Sequence, residues 1–427
     1  MKNAQYLFKQ VRILDSASAH NNKVVDLLIS DGKISDIGKS LEVREAEEIR
    51  GENLHLSLGF VDLRANFNDP GNEDREDIES GAAAALEGGY TSVALSPATH
   101  PPVDSKSAVE YLRSKSNQTG INILPIASFS KGLKGEELSE LYDMRKAGAI
   151  AFNHGSTAIT NSALMRLALL YNRELETPLQ LMSMDPAMAA GGQMHEGVKS
   201  TWLGLKGIPD LAETLSMSRD IALAEYTGAA LHFNGVSSAA GLKLIEAAQA
   251  KGLAISGDVN LLNLIRTNAD LDTYDSNLKL YPPLREESDR QALIKGLKSG
   301  VLKGIASDHR PRTIEEKRCE FDLAHFGAAT LEGSFAALNT YLQEDLGLAK
   351  IVDLLTHGAR EILHYQKDDS IEIGKSVDLC LFNPEEKWLW NDYSAKSKAA
   401  NYPFKNLEFR GKILGTFSKG VFRKREA

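Results

Sequence analysis

Short apolar and β-branched runs recur along most of the chain, separated by stretches of helical pattern. The runs lie at Gly59–Leu63, Tyr90–Ser96, Ile121–Ala127, Ala149–Phe152, Pro178–Met184, Ala229–Phe233, Leu253–Val259 and Lys303–Ala306. Each has the length of a strand, and the bounding stretches are long enough for helices. The helical stretches include Ile78–Glu87, Glu136–Lys146, Asn161–Tyr171, Ala212–Glu225, Ser238–Ala250 and Ser288–Leu297. Eight strands alternating with helices predict a closed parallel (β/α)8 barrel rather than an open sheet. Two more helices, in Glu332–Leu348 and Lys350–Leu363, follow the eighth run.

Both ends of the chain read differently. Tyr6–Leu14 and Val24–Ser30 have strand character, and Asp31-Gly32 is a hairpin turn signal before Lys33–Ile37. Ser376–Phe382 is another strand, and Lys412–Arg423 holds two strands around Ser418-Lys419-Gly420. Chain termini commonly lie close together. The expectation is therefore a small β-sandwich domain, residues 1–55 plus 370–427, beside a barrel of residues 56–369.

Composition narrows the function. Of 427 residues, 42% are hydrophobic and 25% charged, and the net charge is −9. An acidic surface argues against nucleic acid, whose phosphates need basic partners. Arg423-Lys424-Arg425 is the one basic cluster and reads as a solvated tail. No apolar run approaches the ~20 residues of a membrane span, and the start lacks the apolar core of a signal peptide. Cys319 and Cys380 show no metal spacing, and two thiols in so long a chain suggest a reducing, cytoplasmic setting.

In a barrel of this kind chemistry sits at the C-terminal ends of the strands. The first strand ends in Gly59-Phe60-Val61-Asp62-Leu63-Arg64-Ala65-Asn66-Phe67-Asn68-Asp69-Pro70-Gly71. This frame resembles the G-F-V-D-x-H-x-H-x-R-x-P-G signature of the dihydroorotases, members of the amidohydrolase superfamily. The resemblance continues in order through most of the chain. It includes Glu79-Ser80-Gly81, Gly88–Val93, Pro101–Ser105, Gly192-Gln193-Met194-His195-Glu196-Gly197, Pro282-Pro283-Leu284-Arg285, Ala306-Ser307-Asp308-His309, Phe326-Gly327 with Glu332, and Pro403–Gly411. It implies a TIM barrel of the metal-dependent amidohydrolase type, with zinc ions at the mouth and opening of the dihydroorotate ring as the activity.

The departures from that pattern fall on one surface. Arg64 and Asn66 stand where the resemblance implies two metal-binding His. His154 stands at or beside the metal-bridging acid, Met182 replaces a His at the fifth strand, and Gly235 replaces one at the sixth. Asp308, the family's general acid/base, is kept. On the substrate side Asn68 replaces a carboxylate-binding Arg, Ala98 and Tyr281 each replace an Asn, and Arg312 replaces a His. A neutral imidazole cannot bridge two dications as a carboxylate does, and a thioether is a poor zinc ligand, so no metal is expected. A guanidinium at position 64 could fill the vacated volume and pair with Asp308, leaving Asp308 as a partner of Arg64 or His309.

Other candidates have simpler readings. His154, Asp185, His232 and His309 could form a shifted metal site, although His232, odd-spaced from position 235, should point away from the barrel axis. His195-Glu196 reads as a structural loop. Trp388 and Trp390 read as packing between sheet and barrel. Three functions follow as expectations. The first is a catalytically inactive dihydroorotase-like scaffold of pyrimidine biosynthesis, possibly with aspartate transcarbamoylase or as a homo-oligomer. The second is an active cyclic-amide hydrolase with an atypical site. The third is a sensor for an anionic small molecule in the barrel mouth.

Overall fold

The computed structural model describes residues 5–365 and 370–425. The expected boundary between 369 and 370 falls at the edge of residues 366–369, outside the described residues. Eight parallel strands form the centre, and their C-terminal ends will carry the site. They are Phe60–Ala65, Tyr90–Leu95, Asn122–Ser128, Ala151–Asn153, Gln180–Leu181, Leu231–Phe233, Ile255–Asn260 and Gly304–Ala306. The first four pair in order, as do the last four. Parallel bridges Phe152↔Leu179 and Ala65↔His309 join the two sets and close the barrel.

Alternate positions on these strands face inward. Val61, Leu63, Ala94, Leu124, Ile126, Ala151 and Ala306 pack together there, with Ala359, Ile362 and Leu363 against them. Arg360 reaches Gly59 O at 3.1 Å, which places that helical turn under the N-terminal ends of the strands. The outward positions, Val93, Leu95, Phe152, Leu181 and Phe233 among them, pack on the surrounding helices.

Most helices agree with the pattern within a few residues, for instance Ile78–Glu87, Asp210–Thr227 and Ala239–Ala250, while the one expected from Glu136 begins only at Leu141. Two differences matter. A helix over Lys106–Ser116, capped by Ser105, lay outside the expected set. The fifth strand is shorter than the run Pro178–Met184. His232 N and Asn234 N bond Leu179 O and Leu181 O, after which the chain leaves the barrel toward a helix at Pro186–Ala189.

The two chain ends build one eight-stranded sheet. Its order is Val421–Lys424, Glu408–Ser418, Leu379–Leu389, His55–Leu58, Tyr6–Ile13, Val24–Ser30 and Lys33–Gly38, with Glu47–Ile49 also on Tyr6–Ile13. At the hairpin, Asp31 and Gly32 both have positive φ (54° and 72°), the type I′ geometry that suits strand twist. Tyr6 meets Phe417 at 5.7 Å and Phe8 meets Phe422 at 5.4 Å. Two strands lie between the first pair in the sheet order and three between the second, about 14 and 19 Å in a flat sheet. The sheet therefore folds over on itself as a sandwich. Trp390, Phe404 and Phe409 contact one another and share the large core with Phe335 and Leu338 of the barrel's helical layer. Trp388 stacks near Phe409 at 5.4 Å, so both tryptophans pack between sheet and barrel.

Candidate functional site

A bulge in the first strand creates the centre of the barrel mouth. Asp62 pairs with Val93, but Ala65 pairs with Leu95. Leu63 and Arg64 therefore oppose Ala94 alone, the signature of one inserted residue. Leu63 stays in the interior cluster and Arg64 turns inward as well. Its guanidinium spans three side chains through four contacts. Nη1 and Nη2 each reach one oxygen of Asp258 at 3.3 Å, Nη2 donates to Asn260 Oδ1 at 2.5 Å, and Nε donates to Asp308 Oδ1 at 3.3 Å. Arg64 is 6% exposed and Asp258 fully buried.

The seventh and eighth strands supply the counter-charges. Asp258 and Asn260 are two apart on the seventh strand and face the same way. Asn260 Nδ2 donates to Asp308 Oδ2 at 3.2 Å. Arg310 Nε donates to Asp308 Oδ1 at 3.0 Å. Two arginines thus face two aspartates. Burial opposes the charge of Arg64, but Asp258 and then Asp308 outweigh it and raise its pKa. Burial likewise opposes ionisation of Asp258, and the Arg64 guanidinium and His232 outweigh it, bringing the carboxyl down to about 2.

His232 corrects an expectation. Its ring does not point away from the axis. Nε2 lies 3.0 Å from Asp258 Oδ2 and Nδ1 lies 2.8 Å from Ser256 Oγ, so it joins the inward layer. The odd-spacing argument assumed continuous extended backbone through position 235. Gly235 instead has φ 62°, which breaks the alternation. Gly235 N donates to Asp258 Oδ1 at 2.7 Å. A Cβ added there would lie 2.9 Å from the Asn260 amide, so the site has closed around the absence of a side chain.

The remaining sequence candidates are not drawn into this cluster. Asn66 Nδ2 donates to His309 O at 3.3 Å. Asn68 is buried with φ 58°. Ala98 lies on the exposed loop after the second strand, beside Gly155. His154 is held by Ser130 Oγ at 2.9 Å and Thr157 O at 3.0 Å, and burial lowers its pKa. Met182 is buried. Tyr281 stacks near Phe326 at 5.5 Å, and burial pushes its hydroxyl up to about 12. Arg312 bonds Phe326 O at 2.9 Å and pairs with Glu316 at 3.6 Å, so its charge serves the loop after the eighth strand.

Of the two partners expected for Asp308, Arg64 takes that place, and His309 turns elsewhere. Its Nδ1 accepts from Thr330 N at 3.1 Å, which assigns the proton to Nε2, 3.4 Å from Glu76 Oε2. Glu76, fully buried, also accepts from the hydroxyls of Ser80 and Ser397. Asp185 caps the helix at Pro186, accepting from Ala187 N and Met188 N at 3.0 and 2.9 Å. The four residues of the suggested shifted metal site are thus committed to separate partners.

Sequence reasoning missed Asp258, Asn260 and Arg310. The signal for the first two was present: an acid and an amide two positions apart at the end of an otherwise apolar run. Arg310 had no comparable mark, because it lies past the strand in the loop.

A binuclear zinc centre needs several His and carboxylate ligands converging on each ion. Among the described residues no three His, Cys, Asp or Glu side chains form such a group. Asp258 and Asp308 meet a guanidinium instead. The residues present do not fit a zinc pair.

A second cluster lies beside the mouth. Arg285 Nη1 donates to His195 Nδ1 at 3.0 Å and Ile208 O at 2.9 Å, and its Nε donates to Ser237 Oγ at 3.1 Å. Glu213 accepts from Ser237 N at 2.7 Å. This ties the ribbon of Met194–His195 and Gly207–Ile208 to the sixth and seventh strands.

A closed parallel barrel joined to a sandwich from both chain ends, with an Asp at the end of its eighth strand, defines a barrel of the amidohydrolase type. Solved structures share the fold. The L-hydantoinase of Arthrobacter aurescens superposes with a TM-score of 0.86 over 98% of this chain and 95% of its own, at 20% identity. A D-hydantoinase gives 0.83 over 99% and 95%, at 22%. A family model described as dihydro-orotase-like matches residues 55–240. The dihydroorotase of Caldanaerobacter subterraneus subsp. tengcongensis is 35% identical over 93% of each chain, and that of Ruminiclostridium cellulolyticum 36% identical over 97% of each. The chain belongs to the dihydroorotase-like family of the amidohydrolase superfamily.

Proposed function

We propose that this chain is a dihydroorotase-like protein of pyrimidine biosynthesis that has lost ring-opening activity and serves as a structural subunit, with aspartate transcarbamoylase as its partner. The observation that carries this reading is the Arg64 guanidinium, seated between Asp258 and Asp308. Opening a cyclic amide at neutral pH needs an activated water. A metal supplies it by bringing the water's pKa toward ~7, and the residues here do not fit that metal. Asp308, the candidate base, has Oδ1 facing Arg64 and Arg310 and Oδ2 facing Asn260. Both oxygens are thus already engaged as acceptors, by two guanidinium groups and an amide. Position 68, where a substrate carboxylate would be held, carries a neutral amide.

The same charge balance bears on an anionic-ligand sensor. Arg64 and Arg310 face two carboxylates, and Arg312 is turned to Glu316. The mouth offers little uncompensated positive charge to an anion. The partner is tested by mixing purified chain with aspartate transcarbamoylase and following co-elution on gel filtration. A stable complex supports the scaffold. Separate elution at micromolar concentrations of both removes that partner and leaves only the inactive barrel.

A further inference from the structure

The barrel mouth needs a positive charge whether or not it needs a catalyst. The seventh and eighth strands bring Asp258 and Asp308 to one cation, and a fully buried carboxylate facing a second, largely enclosed one is costly without it. The surrounding groups are shaped for a flat cation with several N–H donors. Asn260 presents its oxygen to Arg64 and turns its nitrogen to Asp308. Asp258 takes both guanidinium nitrogens as a fork and uses its remaining capacity on Gly235 N and His232. Bidentate pairing of this kind is specific to guanidinium over a point charge. Arg310 donates from the side to Asp308 Oδ1.

We propose that Arg64 is the covalently attached occupant of a guanidinium-binding site formed by Asp258, Asn260 and Asp308, and that this site accepts a free guanidinium ion when the Arg64 side chain is removed. The proposal concerns what holds the strand ends together, and it stands apart from any partner of the protein. A spherical divalent ion is a poor substitute, because the Gly235 N–H and the Asn260 amide already take part of the carboxylates' capacity.

The test is thermal unfolding of Arg64→Gly and of wild type, each with millimolar guanidinium chloride, with sodium chloride at equal ionic strength, and with Zn²⁺. The expected result for Arg64→Gly is a melting temperature roughly 5 °C or more below wild type. Guanidinium should recover part of that loss while sodium does not, and it should not raise the wild type. Equal responses of both proteins to guanidinium, or recovery by Zn²⁺ alone, would overturn the proposal. If Arg64→Gly does not fold, Arg64→Gly with Asp258→Asn is used instead. Removing the facing charge should restore folding and abolish the guanidinium response. A double variant no better folded than the single one, or one that keeps the response, overturns the proposal.

Discussion

Two buried arginines, Arg64 and Arg285, stand on the same rim of the barrel and illustrate opposite uses of one side chain. Arg285 is 3% exposed, and the groups it is bonded to are neutral: Ser237, His195 and a backbone carbonyl. Burial lowers its pKa, with Glu213 and Asp289 only partly offsetting this. Arg64 is as deeply buried, but carboxylates surround it and raise its pKa. The first arginine fastens loops whose motifs, Gly192–Gly197 and Pro282–Arg285, keep the family pattern. The second occupies the surface where that pattern is lost. The frame that shapes the mouth is thus kept apart from the chemistry the mouth contains, and one can change without the other.

Breaking the charged cluster should have the largest effect. Asp258→Ala removes the bidentate partner of Arg64, leaving it Asn260 and Asp308, and removes the acceptor of His232 and Gly235 N. Urea unfolding should show a loss of about 3–5 kcal/mol, the range for removing one partner of a buried pair. A loss below about 1 kcal/mol would mean the pair is solvated and the contrast with Arg285 is false.

Acid titration sharpens the same point. Asp258, held near 2 against an ordinary 3.8, contributes stability present above about pH 4 and lost as the pH falls toward 2. Asp62 behaves oppositely. Burial first, opposed by hydrogen bonds from Ser307, raises its carboxyl to about 6. Its contribution is full below about pH 4 and is lost as the pH rises through 6. Each displacement is worth about 2–3 kcal/mol. Asp62→Asn should reduce the pH dependence between 4 and 6, leaving the share of Asp220, whose carboxyl burial also raises to about 6, and should leave the acid limb intact. Urea midpoints measured from pH 3 to 7 would show it, and an unchanged slope between 4 and 6 would count against the assignment.

Restoring the family residue at one position should not help. Gly235→His places a side chain at positive φ and within 2.9 Å of Asn260. The expected cost is about 1–3 kcal/mol, with no zinc retained after dialysis by metal analysis. Retained zinc would show the site to be more plastic than its packing indicates. The smallest effect belongs to the neutral cluster. Arg285→Lys keeps the charge but loses the fork to His195, Ile208 O and Ser237, at about 1–2 kcal/mol. A loss equal to that of Asp258→Ala would erase the distinction between the two arginines.

The hairpin turn signals with strand-like runs carried the mostly antiparallel ends, and the apolar runs carried the barrel, because buried parallel strands read as continuous apolar segments. The same signal overran at Pro178–Met184, since Met182 and Met184 are buried outside the strand and burial alone does not mark hydrogen bonding. At the site, Arg64 and Gly235 were legible as substitutions in a recognisable frame. His232 was misread because a left-handed residue at 235 interrupts the parity that spacing arguments use. Arg312 stood in the expected loop, but no spacing rule reveals that Glu316, four residues on, takes its charge. Asp258 was overlooked because its run counts as apolar, although a lone acid inside such a run needs a buried partner.

The most direct measurement is turnover of dihydroorotate by the purified chain with Zn²⁺ supplied and an intact dihydroorotase as positive control. The account predicts no ring opening above background, with or without chelator. Turnover that a chelator abolishes would mean that a metal binds despite Arg64, and the reading of this barrel as inactive would be wrong.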